Sequence, residues 1–188
     1  MVLLSTFLIA IGLAMDCFAV SLAIGTAQAN TARSIFRIAF HFGLFQGVMT
    51  LLGWLAGSTI AHLISGMDHW IAMVLLAWVG IRMLREGFEK EEEAEKFKTD
   101  PSRGGTLMML CVATSIDALA VGLSVAMMKV DILSASLIIA GVSLALSLVG
   151  LLTGNLLGKR FGKQMEVVGG LLLIGIGVRV VITHIMAV

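Results

Sequence analysis

Met15-Asp16-Cys17-Phe18-Ala19-Val20 and Ile116-Asp117-Ala118-Leu119-Ala120-Val121 decide the fold. Each sets one aspartate mid-way along an apolar run long enough to cross a hydrocarbon core about 30 Å thick. Outward from these two, such runs recur over residues 2–27, 35–60, 70–88, 105–128, 132–157 and 167–186. They take up most of the 188 residues, which are 59% hydrophobic and 13% charged, at a mean hydropathy of +1.02. A soluble domain needs more polar surface. The runs are continuous, not alternating, and in lipid such a segment satisfies its own N–H and C=O groups only as a helix. The first run is too long for a signal-peptide core and reads as a retained helix. The sequence therefore predicts an all-α membrane protein with six transmembrane helices.

The two aspartate motifs are one of three matches between the halves. Gly53-Trp54-Leu55-Ala56-Gly57-Ser58 matches Gly150-Leu151-Leu152-Thr153-Gly154-Asn155, and Gly80-Ile81-Arg82-Met83 matches Gly177-Val178-Arg179-Val180. Each copy holds three helices, an odd number, so the second must enter the membrane with opposite polarity. The expected plan is two inverted three-helix repeats, residues 1–88 and 105–188, around a charged cytoplasmic linker at 89–104. The linker carries Glu91, Glu92, Glu93, Glu95, Lys96 and Lys98 and runs to Pro101, the only proline. It reads as a solvated connection. Arg33, Arg37, Arg82, Arg85, Lys90, Lys96, Lys98, Arg103, Lys159, Arg160 and Lys163 fall on loops one, three and five or the adjoining helix ends, against Lys129 alone on the other side. That bias places those loops in the cytoplasm and both termini outside. A net charge of +1 gives no case for nucleic acid, and Cys17 and Cys111 form neither a C-x-x-C motif nor an expected disulfide.

A carboxylate at mid-membrane costs about 2.5–3.5 kcal/mol on insertion scales and turns inward toward a partner. Small residues flank both: Gly12, Ala19 and Ala23 near Asp16, and Ala113, Thr114, Ala120 and Ser124 near Asp117. Such residues let helices approach closely. Two carboxylates brought together in a low dielectric repel, so either a proton neutralises one or a cation binds between them. Oxygen ligands suit hard divalent cations such as manganese, magnesium or calcium. Asp16 and Asp117 are the expected metal ligands, with Gln46, Thr114, Ser115 and Asn155 as neutral oxygen donors; Thr50, Ser143 and Ser147 offer further oxygens. The expected activity is secondary transport. Export of a small organic cation or amino acid is an alternative. An aspartyl protease dyad fits poorly, since the chain has no tyrosine and Asp117 follows Ser115 and Ile116.

The pattern Met15-Asp16-Cys17-Phe18-Ala19-Val20-Ser21, with Ala113-Thr114-Ser115-Ile116-Asp117-Ala118-Leu119-Ala120-Val121-Gly122, resembles the MntP family of bacterial manganese efflux pumps. Phe42-Gly43-Leu44-Phe45-Gln46 through Gly53-Trp54 is similar to that family's second helix, and Gly170-Leu171-Leu172-Leu173-Ile174-Gly175-Ile176-Gly177 to its last. The chain differs in having Thr50 where a proline is frequent and Cys17 where a small residue is frequent. The resemblance implies export of Mn2+ across the inner membrane, with both aspartates essential, Mn2+ as substrate and no cofactor. Protons are the expected counter-ion on electrostatic grounds, and the lipid bilayer is the medium.

Overall fold

The computed structural model describes residues 2–27, 31–61, 68–88, 101–127 and 130–187; most of the expected linker lies outside them. The described residues are helical: α1 (Val2–Ala27), α2 (Ala32–Ala61), α3 (Asp68–Phe88), α4 (Gly104–Met127) and α5 (Ile132–Ala187). Two helix starts are capped alike. The Ser34 amide donates to Thr31 Oγ1 at 3.3 Å ahead of α2, and the Ser134 amide donates to Asp131 Oδ2 at 3.0 Å ahead of α5. Gly104, at φ 61°, turns the chain into α4.

The polarity of the bundle is reversed relative to a soluble protein. Phe36, Phe40, Leu44, Val48, Leu52 and Leu55 form an exposed apolar stripe along α2, while Gln46 and Thr50 on the same helix are fully buried. Asp16, Ser21, Thr114, Ser115, Asp117, Ser124, Ser143 and Ser147 are also buried. Polar groups inside and apolar groups outside are what a lipid solvent selects. Among the described residues, four stretches are long and apolar enough to cross a membrane: Leu4–Gly25, Ala32–Thr59, Gly104–Met127 and Ile132–Gly154. The chain is a multi-pass membrane protein.

Residues 132–157 and 167–186, expected as separate helices, fall within one continuous helical element, the 56-residue α5. The polar stretch between them, Gly158-Lys159-Arg160-Phe161-Gly162-Lys163-Gln164-Met165-Glu166, has no proline, and its glycines weaken a helix without ending it. At 1.5 Å per residue its 56 residues amount to about 84 Å of helical path, more than one crossing needs. α3 and the second part of α5 do not appear among the candidate spans of the described residues. In α3 the last two turns contain Arg82, Arg85 and Glu86 in sequence.

Glycines set how the helices meet. A Cβ at Gly57 would lie 3.0 Å from the Leu123 carbonyl oxygen and 2.8 Å from Ala126, and one at Gly53 would overlap the Leu119 carbonyl. On the other side, a Cβ at Gly154 would lie 2.7 Å from the Leu22 carbonyl oxygen and from the Gly25 Cα, and one at Gly150 would lie 2.9 Å from the Phe18 carbonyl oxygen. The motif alignment pairs Gly53 with Gly150, Gly57 with Gly154, Phe18 with Leu119 and Leu22 with Leu123. The α2–α4 and α1–α5 seams therefore use equivalent positions. Contact order also gives direction: α1 runs with the first part of α5, and α2 runs with α4. α2 opposes α5, since Gly43 meets Ala140 and Leu144 while Gly47 meets Ser136 and Ala140.

Candidate functional site

α1 and α4 carry the aspartates, and both are deeply covered: Asp16 is 8% exposed and Asp117 is 1% exposed. Of the small neighbours, Gly12, Ala19, Thr114, Ala120 and Ser124 are buried, Ala23 is half-buried, and Ala113 faces outward. The inward face is therefore narrower than the sequence suggests.

A side chain from α2 links the two motifs. Gln46 Nε2 donates to the Thr114 carbonyl at 3.0 Å, to Cys17 Sγ at 3.3 Å and, at the long limit of 3.5 Å, to the Leu13 carbonyl. Leu13 and Cys17 lie within one turn of Asp16, and Thr114 lies one turn before Asp117. One buried carboxamide thus ties the segments that carry both aspartates. Its donors are committed, so the carbonyl Oε1, which has no hydrogen-bond partner, is available only as an acceptor. Thr50 Oγ1 donates to the Gln46 carbonyl at 2.8 Å, buttressing this turn.

Thr114 Oγ1 donates to the Leu110 carbonyl at 2.9 Å and retains lone pairs. Ser115 is fully buried, and its Oγ has no hydrogen-bond partner. The side chain of Asn155 lies outside the described residues. Its neighbour Gly154 meets Gly25, nine positions beyond Asp16, or about 13 Å along the helix. The structure thus brings Gln46 and Thr114 together beside the aspartate turns and sets the Asn155 backbone further along α1. Among the described residues, no three His, Cys, Asp or Glu side chains gather to hold a metal. A cation here would need neutral oxygens besides carboxylates. His41 is engaged with the Arg37 carbonyl at 2.8 Å. Sequence reasoning did not foresee the part played by Cys17, whose sulfur accepts from Gln46; only its place beside Asp16 hinted at it.

Fold and site define a multi-pass membrane protein that keeps carboxylates and neutral oxygens in its interior. Comparison with known proteins makes this particular. A family model described as "Putative manganese efflux pump" (Mntp) matches residues 29–181. Relatives carrying the same description include proteins of Citrifermentans bemidjiense, 49% identical over 94% of both chains, and Syntrophotalea carbinolica, 46% identical over 97% of both. A third, from Phocaeicola vulgatus, is 46% identical over 98% of both chains. The chain belongs to this family, one of transporters and not of enzymes. No solved structure matches it.

Proposed function

We propose that the protein exports Mn2+ from the cytoplasm across the bacterial inner membrane by alternating access. The carrying observation is the Gln46 bridge, which joins the Leu13–Cys17 and Thr114 segments next to Asp16 and Asp117. In this reading the two carboxylates hold Mn2+ between α1 and α4. Gln46 Oε1, Thr114 and Ser115 add neutral oxygens, and Asn155 serves the ion further along its path. Hard oxygen ligands suit Mn2+. The names of the relatives favour manganese and the outward direction.

The plan is two inverted three-helix repeats, residues 1–88 and 105–188, with the linker at 89–104; the equivalent α2–α4 and α1–α5 seams support the pairing of their first two helices, and the Lys/Arg bias supports both termini outside. Six crossings would need the continuous helix α5 to break within its polar stretch, near Gly158 and Gly162, at the cytoplasmic surface. Rocking of one repeat against the other would expose the site to each side in turn, and protons would replace Mn2+ on the carboxylates to reset them.

The test is manganese resistance in an exporter-deficient host, with Mn2+ efflux from preloaded cells. Asp16→Ala and Asp117→Ala, expressed at parental level, are expected to abolish protection. Full protection by both variants would refute the role of the aspartates, and protection against other divalent cations but not Mn2+ would reassign the substrate.

A further inference from the structure

In an apolar medium a helical hydroxyl ordinarily donates to a carbonyl one turn back, because no water competes for it. Thr50, Thr114, Ser124, Ser136 and Thr153 do so, at 2.7 to 3.1 Å. Ser143 and Ser147 do not, and neither do Ser21 and Ser115 on the two aspartate helices. Both α5 serines are 0% exposed, and neither Oγ has a hydrogen-bond partner. Leaving a buried hydroxyl unbonded costs about 1–3 kcal/mol. Two in successive turns of one helix call for a physical reason.

Their position supplies one. Carrying the Gly53–Gly150 alignment back without a gap pairs Gln46 with Ser143 and Thr50 with Ser147. The α2–α5 contacts keep that register. A Cβ at Gly43 would lie 2.9 Å from the Leu144 Cβ, and one at Gly47 would lie 3.1 Å from the Ala140 Cβ. Under the alignment these are two copies of one contact, since Gly43 pairs with Ala140 and Gly47 with Leu144. Gln46 also bonds the carbonyls of Leu13 and Thr114, themselves an aligned pair. Gln46 thus comes to the aspartate helices from α2, and Ser143 and Ser147 hold the equivalent places on α5. They share a helix face with Gly150, which packs on α1.

We propose that Ser143 and Ser147 are cation-contacting residues, supplying hydroxyl oxygens from α5 to a hard divalent cation that Gln46 Oε1 faces from α2. This rests on the transport reading above. No backbone acceptor fixes the orientation of these two hydroxyls, so their lone pairs are free to turn toward an ion while the O–H points away from it.

The test uses full-length protein in nanodiscs, measuring Mn2+ affinity by titration alongside the thermal unfolding midpoint. Ser143→Ala and Ser147→Ala together are expected to weaken Mn2+ binding about tenfold or more. Their metal-free midpoint should stay level or rise, because no internal bond is lost. Thr153→Ala, which breaks a backbone-directed bond, should leave Mn2+ affinity unchanged. Ser147→Cys should weaken Mn2+ and strengthen Cd2+, as a thiol replaces a hydroxyl. Parental Mn2+ affinity in the double Ser→Ala variant, or a loss matched by a fallen midpoint, overturns the inference. If Asp117→Asn abolishes binding while the double variant retains it, this inference alone falls. A parent protein that binds no Mn2+ overturns the transport reading and this inference with it.

Discussion

A carboxamide does at position 46 what no apolar residue could. Gln46 donates to acceptors on α1 and α4 and keeps its own oxygen unbonded. Gln46→Leu removes the donors and leaves the volume roughly filled. It is expected to lower stability by about 1 kcal/mol, read as a lower unfolding midpoint in detergent, and to weaken manganese resistance. At the aqueous end of α5, Asp131 makes a different kind of prediction. Hydrogen bonds from the Ser134 hydroxyl and amide hold its carboxyl below the ordinary value of 3.8. A depressed carboxyl contributes stability that is present above its unfolded pKa and lost as pH falls through the folded one. The start of α5 should therefore keep its protection at every pH above the ordinary carboxylate value and lose it only under stronger acid than an uncapped aspartate would need. Amide hydrogen exchange at Ser134 and Ala135, compared with Asp131→Ala, reads this directly.

Between elements, the seams are set by backbone approach, and the two equivalent seams are not equally tight. A Cβ at Gly53 overlaps the Leu119 carbonyl, whereas the equivalent atom at Gly150 stands 2.9 Å from the Phe18 carbonyl. Backbone cannot move aside as a flexible side chain can, so Gly53→Ala forces α2 and α4 apart. It should cost about 1–3 kcal/mol and Gly150→Ala less, measured as the order of unfolding midpoints. Equal costs would mean that the difference between the seams does not persist in the membrane. α5 shows the limit of hydropathy at this scale. Charge interrupts the apolar pattern at Lys159, Arg160 and Lys163, but charge does not break hydrogen bonds along a helix, so the helix continues.

For the whole molecule, the testable quantity is the number of crossings. With the N-terminus outside, as proposed, six crossings would place the C-terminus outside as well, and five would place it in the cytoplasm. A C-terminal reporter active only in the periplasm should be active, and a cysteine replacing Lys163 should react only from the cytoplasmic side. The helical class and the inward aspartates were legible in the sequence because lipid restricts the chain to one backbone solution and penalises every buried charge. Asp16, Asp117, Gln46 and Thr114 could be nominated on those grounds alone. What only the tertiary structure decided is which helices share a seam, that one side chain of α2 spans both aspartate segments, and that Ser143 and Ser147 are left unbonded while Thr50 and Thr114 are not. Composition fixes the cost of placing a group in lipid. Who meets whom depends on packing between positions far apart in the chain, where a missing Cβ or a half-turn of helix sets the neighbour.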